Sequence, residues 1–247
     1  MKLTVVGCGD AFGSGGRLQT CYHVDDGRNA LLIDCGATAL IGMQRAGLDP
    51  ARVGAIQISH LHGDHFSGLV WWLLHATHIA RRREPLVIAG PAGIEARVRL
   101  AAEALFPGAL AHPLPFEVVF IEQTAGKPSS LGGFVVTAYE VSHPSGAASH
   151  ALRLVGSGRT IAFSGDTEWV EALVDCARGA DLFLCECYGH SRATRFHLTW
   201  EVLKEHLPRI DARRVVLTHM SGDMLAAVEV ARAAGVGVAE DGMVIEL

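Results

Sequence analysis

Ser59-His60-Leu61-His62-Gly63-Asp64-His65 sets four metal-competent side chains within six residues. Their order matters. His60 and His62 are two apart, so in an extended segment both point to the same side of the chain. Gly63 has no Cβ and permits a sharp turn at positive φ. Asp64 and His65 then fall where a helix starts, ahead of the apolar run Phe66–Leu74. Val53–Ser59 reads as the strand that delivers the stretch. Two histidines from one backbone direction and an Asp-His pair from another can hold two ions close together. Imidazoles are borderline donors that suit zinc, and the carboxylate also accommodates manganese or iron. One histidine alone is more often satisfied by an ordinary hydrogen bond or by solvent. H-x-H-x-D-H at a strand-to-helix turn is a metal-site pattern.

A chain of 247 residues is long enough to bury a substantial core. It reads as one domain made of two αβ halves, about 1–110 and 111–247, divided at the Pro-rich stretch Pro107–Pro115. The formal charge of −5 argues against a broad nucleic-acid-binding face, which would neutralise phosphates with Lys and Arg. Bound divalent ions offset acidity locally, so a phosphate substrate stays open. Met1–Gly7 lacks the apolar core of a signal peptide, and no apolar run approaches the ~20 residues of a membrane span. Cys8, Cys21, Cys35, Cys176, Cys185 and Cys187 make no C-x-x-C pair and no disulfide framework. They are expected to be reduced, and the protein cytoplasmic.

From the N-terminus, a strand over residues 2–6 leads into a Gly-rich turn, Gly13–Gly16, without P-loop spacing. Cys21–Asp25 and Ala30–Asp34 form a hairpin through Asp26-Gly27. A helix over about Ala37–Ala46 ends at Gly47. After the metal stretch, one helix is expected from about His65 to Arg82, carrying His75 and His78 as ordinary helix residues. The second half is expected to place strands at Phe116–Ile121 and Phe134–Val141, with a polar link at Thr124–Ser130. A hairpin of Ser149–Val155 and Arg159–Ser164 follows, then a helix over about Glu168–Gly179 and a strand at Leu182–Cys187. Thr199 is a candidate N-cap for a helix reaching about His206. Arg214–Thr218 is an apolar strand, followed by a helix over about Met224–Ala234 and a terminal strand at Gly242–Glu246.

His60, His62, His143, Asp166 and His219 all lie just past the ends of apolar strands. Loops at strand ends converge over one sheet edge, which is where layered α/β proteins assemble sites. The ordered set H-x-H-x-D-H, His143, Gly-Asp166-Thr and Thr-His219 resembles the metallo-β-lactamase fold, and within it the ribonuclease Z-like phosphodiesterases. Gly7-x-Gly9-Asp10-Ala11-Phe12, Gly15-Gly16-Arg17-x-x-Thr20-Cys21-Tyr22 and Leu32-Ile33-Asp34-Cys35-Gly36 are similar to that branch too, so the likeness runs from about residue 4 to 242. It implies an α+β protein, an αββα four-layer sandwich. His60, His62 and His143 would bind one ion, Asp64, His65 and His219 a second, and Asp166 would bridge both. Two ions about 3.5–4 Å apart acidify a shared water and clamp a phosphoryl oxygen, so the resemblance implies attack by a metal-bridging hydroxide. Asp64 would orient that water or accept its proton.

Glu186, in Cys-Glu-Cys-Tyr, and His197, in His-Leu-Thr, match segments of the same branch. They imply an acid pair in which Glu186 raises the pKa of His197 and His197 protonates the leaving oxygen. A buried carboxylate paired with an Arg, beside a surface histidine, is the plainer alternative. Trp200-Glu201-Val202 departs from the small residues usual in the branch, and the first residue of its His-Glu-Cys segment is Cys185 here. The stretch between Leu105 and Val141 has no basic, Gly-rich insertion like the arm with which ribonuclease Z grips transfer RNA. The expected function is therefore a two-metal phosphodiesterase, zinc the first choice of metal, acting on small or cyclic phosphodiesters or RNA 3′ ends. A homodimer is compatible with it. The alternatives are a carbonyl hydrolase of the same fold (lactonase, thioesterase or β-lactamase-like) and a true transfer-RNA 3′-processing enzyme.

Overall fold

The computed structural model describes all 247 residues, Met1–Leu247. Strands Lys2–Gly7 (β1), Cys21–Asp25 (β2), Ala30–Ile33 (β3), Val53–Gln57 (β4), Leu86–Gly90 (β5) and Val118–Glu122 (β6) build one sheet. Pro128–Leu131 (β7), Phe134–Val141 (β8), Ser149–Gly156 (β9), Arg159–Phe163 (β10), Leu182–Glu186 (β11), Val215–Thr218 (β12) and Gly237–Val238 (β13) build the other. Val244–Glu246 (β14) returns to pair with β1, so the sheet orders are β14-β1-β2-β3-β4-β5-β6 and β13-β12-β11-β10-β9-β8-β7. Each sheet is mixed. Pairing is antiparallel from β14 to β3 and parallel from β3 to β6. It is antiparallel from β7 to β10 and parallel from β10 to β13.

Period-two alternation sets the layers. Leu3, Val5, Leu31 and Ile33 of the first sheet meet Phe134, Leu152, Leu154, Ile161 and Phe163 of the second in a fully buried layer between the sheets. The intervening residues Val6, Leu32 and Ile56 face outward, against helices Ala39–Arg45 (α1), Gly63–Phe66 (α2), Gly68–His78 (α3) and Ile94–Leu105 (α4). On the far side Ala162, Phe183 and Cys185 pack against Ala172–Ala177 (α5), Trp200–His206 (α6), Gly222–Ala226 (α7) and Val228–Ala233 (α8). This is the expected αββα order. No helix is long and apolar enough to cross a membrane. All six cysteines are free and buried, and burial pushes the Cys8 thiol up to about 12, which keeps it unreactive.

Phe163 sits in the layer between the sheets, 1% exposed, with its ring edge-on to Tyr22 at 5.3 Å. Phe163→Ala is expected to cost about 3–5 kcal/mol, because the two sheets cannot both close on the void. A urea titration reads this as a lowered midpoint at unchanged m-value.

Several element boundaries differ from the sequence expectation for local reasons. The helix expected from His65 breaks after Phe66, because the Gly68 N–H donates to the Cys35 carbonyl (2.9 Å) instead of continuing the helical ladder. Helix α3 stops at His78, short of Arg82. The expected polar link Thr124–Ser130 holds the first three residues of β7, and the expected helix at Met224–Ala234 is two short helices, α7 and α8. Gly63 does not adopt positive φ. His62 is extended (φ −84°, ψ 149°) and Gly63 opens the helix itself. Thr199 caps α6 as expected, its side chain accepting from the Val202 N–H.

Candidate metal centre

The strand ends deliver the polar residues to one edge of the sandwich. Residues beyond β3 and β4 bring Asp34 and His60–His65, β8 brings His143, β10 Asp166, β11 Glu186 and β12 His219. The structure draws every sequence-selected residue into one cluster. His60, His62 and His143 form one group able to hold a metal ion, and Asp64, His65, Asp166 and His219 a second. Asp166 lies between them. Its Oδ2 is 3.3 Å from Nε2 of both His65 and His219, 3.7 Å from Nε2 of His60 and 3.9 Å from Nε2 of His143. His75 and His78 lie on α3 outside any such group.

The donors fit divalent ions. His143 donates its Nδ1–H to the Phe196 carbonyl (3.0 Å), which leaves Nε2 as a lone-pair donor facing Nδ1 of His62 at 3.0 Å. His65 gives its Nδ1–H to Asp34 (2.7 Å), so its Nε2 faces Nε2 of His219 at 3.3 Å. Nε2 of His60 and Oδ1 of Asp166 are buried without any hydrogen-bond partner. Leaving such atoms unpaired costs about 1–3 kcal/mol each, and a cation between the two groups removes that cost. Burial works against the charge on Asp166, yet His219 and His65 outweigh it and hold its carboxyl well below the usual range. His60 is pushed the other way, its pKa driven well down by burial and by His65, so it is a neutral donor. The His/Asp cluster suits a dinuclear site.

Asp34 was not selected as a site residue from the sequence, and it holds the metal stretch in place. Fully buried, it accepts from the Ser59 N–H and hydroxyl (both 2.7 Å) and from His65 Nδ1. One carboxylate therefore fixes both the start of the stretch and the tautomer of its last histidine. The same loop packs backbone on backbone. The Cys35 N–H donates to the His65 carbonyl (2.7 Å), and a Cβ on Gly68 would lie 2.0 Å from the Gly36 carbonyl oxygen. Asp34, Phe196 and His219 are also three of the five non-glycine residues at positive φ, so backbone strain is concentrated here. Asp34→Asn is expected to weaken metal binding about 10–100-fold with little change in helix content. Titration of the metal-free protein with zinc, beside circular dichroism, checks both parts.

Glu186 and His197 stand beside the cluster. Glu186 is fully buried at the end of β11, and His197 Nδ1 lies 3.2 and 3.3 Å from its two oxygens. The Thr167 N–H, next to Asp166, donates to the same carboxylate. Burial raises the Glu186 pKa, opposed by His197. Burial likewise works against the charge on His197, but the hydrogen bond and charge of Glu186 outweigh it and raise its pKa. The expected pair exists, with a histidine rather than an Arg on the buried carboxylate. The His197 ring stacks on Tyr188 (4.8 Å) and lies parallel to His219 (5.7 Å). A cleft of about 280 Å³ opens over His62, Asp64, His143, Asp166, His197 and His219. The arrangement can hold cations, a tetrahedral anion against them, and a proton donor on the other side of that anion.

Two mixed seven-stranded sheets with this cluster at their strand ends define a metallo-hydrolase of the metallo-β-lactamase fold. The chain belongs to the anti-Pycsar protein Apyc1 family, whose profile matches residues 1–244. It is similar to an uncharacterized protein of Mycobacterium tuberculosis, 31% identical over 89% of this chain and 81% of that one. It is 27% identical to ribonuclease Z of Agathobacter rectalis over 80% of each chain. Among solved structures, human tRNase Z, short form, superposes with a TM-score of 0.79 at 26% identity, covering 100% of this chain and 99% of that one.

Proposed function

We propose that this protein is a two-metal phosphodiesterase acting on small or cyclic phosphodiesters. In this reading His60, His62 and His143 hold one ion, Asp64, His65 and His219 the other, and Asp166 bridges, with zinc favoured by the imidazole-rich set. Two bound divalent ions supply an acidified water and polarisation of the phosphoryl oxygens. The protein's own groups do the rest. Asp64 orients the attacking water and takes its proton. As the oxygen of water bonds to phosphorus, the ester P–O bond breaks and His197 Nε2 gives its proton to the leaving oxygen. Glu186 keeps His197 Nδ1 protonated and carries the compensating negative charge.

The observation that carries this reading is the Glu186–His197 pair, 3.2 Å apart, with His197 lining the same cleft as the His/Asp cluster. A phosphodiester expels an alkoxide that needs a proton. Hydrolysis of a strained β-lactam needs that help far less, so a positioned acid beside the metal groups favours phosphodiesters. The names of two relatives favour an RNA 3′ end as a second reading. Against it, the chain between Leu105 and Val141 carries β6, β7 and β8 and no basic, Gly-rich insertion, and the net charge is −5. A folded RNA would gain few phosphate contacts beyond the cleft, and each missing one weakens binding. Competition at moderate salt between a precursor transfer RNA and 2′,3′- or 3′,5′-cyclic mononucleotides tests the choice. A higher kcat/KM for a cyclic mononucleotide is expected. A higher value for the precursor, with product ending at the discriminator position, would make this a ribonuclease Z.

A further inference from the structure

The loop that leaves His143 and returns to the second sheet is closed at its far end by one hydroxyl. Strand β8 ends at Val141 and β9 begins at Ser149, its partner in the register. Ser149 is 2% exposed, and its Oγ–H donates back across six residues to the His143 carbonyl (2.6 Å). A hydroxyl has one proton to give. With that proton on the His143 carbonyl, the contact between the Ser145 and Ser149 oxygens (3.1 Å) takes Ser145 as its donor, and Ser145 is buried as well. Ser149 therefore anchors the ligand-bearing end of the loop and satisfies its middle.

The next residue reaches another metal-bearing segment. The His150 N–H donates to the Ser59 carbonyl (3.0 Å), and Ser59 Oγ lies 3.1 Å from His60 Nδ1. The backbone has no room to shift here. Gly165 sits at φ +59°, and a Cβ on it would lie 2.5 Å from the His150 carbonyl oxygen and 3.5 Å from Ser59 Cβ. Two of the three imidazoles in the first group, His60 and His143, are thus tied to one dipeptide, Ser149-His150. The second group is buried throughout, and its His65 is held by Asp34. The Ser149 hydroxyl makes no hydrogen bond to Asp64, His65, Asp166 or His219.

The geometry points to Ser149 as a positioning residue for one ion of the two. Its hydroxyl sets where His143 stands relative to His60, and so sets the affinity of the ion held by His60, His62 and His143 without setting that of its neighbour. This rests on the two-metal reading and deepens it. The side-chain end of His143 is fixed by the Phe196 carbonyl, and the main-chain end by Ser149. Such outer partners typically contribute about 10–100-fold to metal affinity.

The test is zinc binding to the metal-free protein, read by competition against a chelator, which should resolve two dissociation constants in the wild type. Ser149→Ala should raise one of them about 10–100-fold. Ser149→Cys keeps the volume but offers only a weak donor, and should do the same. In a His62→Ala background, which disables the first position, Ser149→Ala should leave the remaining constant within about twofold. A merely structural role would instead raise both constants together. Both unchanged in Ser149→Ala, both raised alike, or a Ser149→Cys that behaves as wild type overturns the assignment. If the wild type binds fewer than two zinc ions, the two-metal reading fails separately. The positioning is then decided without metal, by hydrogen exchange at the His143 Nδ1–H followed by nuclear magnetic resonance. Exchange about 2–10-fold faster in Ser149→Ala supports it, and an unchanged rate overturns it.

Discussion

Asp166→Ala is expected to cost both metal positions, taking the content from two ions per chain to near zero after dialysis and abolishing hydrolysis. The reason is geometric. One oxygen, Asp166 Oδ2, lies within 4 Å of an imidazole nitrogen from each group, so its loss removes a donor from both. Charge acts in the same direction. Burial opposes a proton on His219, yet Asp166 and the hydrogen bond to Asp64 raise its pKa to about 9, so the two carboxylates set a field that favours positive charge. With Asp166 gone, Asp64 is the one carboxylate left in the two groups, facing five buried or half-buried imidazoles, and an entering dication gains much less. Elemental analysis reads the result directly, and circular dichroism separates it from unfolding. Unchanged metal content, or loss of only one ion with full activity retained, would contradict the bridging position.

His197→Ala is expected to lower turnover of phosphodiesters by ~10²–10⁴-fold, the usual contribution of a positioned general acid, while metal content stays near wild type. His197 lies next to both groups, but its Nδ1 is committed to Glu186, so removing it takes away a proton donor and leaves the two main donor sets whole. The loss should depend on the leaving group. A p-nitrophenolate departs without protonation, so an aryl diester should lose far less than an alkyl one. Equal losses on both would leave His197 as a phosphate-binding group only. Glu186→Gln should resemble His197→Ala on alkyl diesters, because a neutral amide no longer holds the imidazolium.

Much of this site was legible before any coordinates, because its chemistry is written in local patterns. H-x-H-x-D-H at a strand end carries its own geometry, and His143, Asp166 and His219 follow the same strand-end rule. The layers were equally plain where alternation is strong, as in Leu31–Ile33 and Ile161–Phe163. What escaped was decided by contacts between distant segments. Asp34 reads as the end of a hairpin strand, and its work on Ser59 and His65 appears only when β3 and β4 lie side by side. The break after Phe66 has no sequence signal of its own, since the Cys35 carbonyl that captures the Gly68 N–H comes from another strand end. The Phe196 carbonyl that fixes the His143 tautomer depends on a positive φ at a phenylalanine, which no propensity favours. Strands β7 and β13 are short edge strands, Pro-Ser-Ser-Leu and Gly-Val, whose residues show no alternation to detect.

The central claim is that this fold and cluster serve phosphodiester hydrolysis. It is tested most directly by kcat/KM of the metal-reconstituted protein for a cyclic mononucleotide, a lactone and a β-lactam, each measured for wild type and His197→Ala. The account predicts the highest value for the cyclic diester and a collapse of that value in the variant. A lactone or β-lactam turned over faster than every diester, with His197→Ala indifferent, would contradict it.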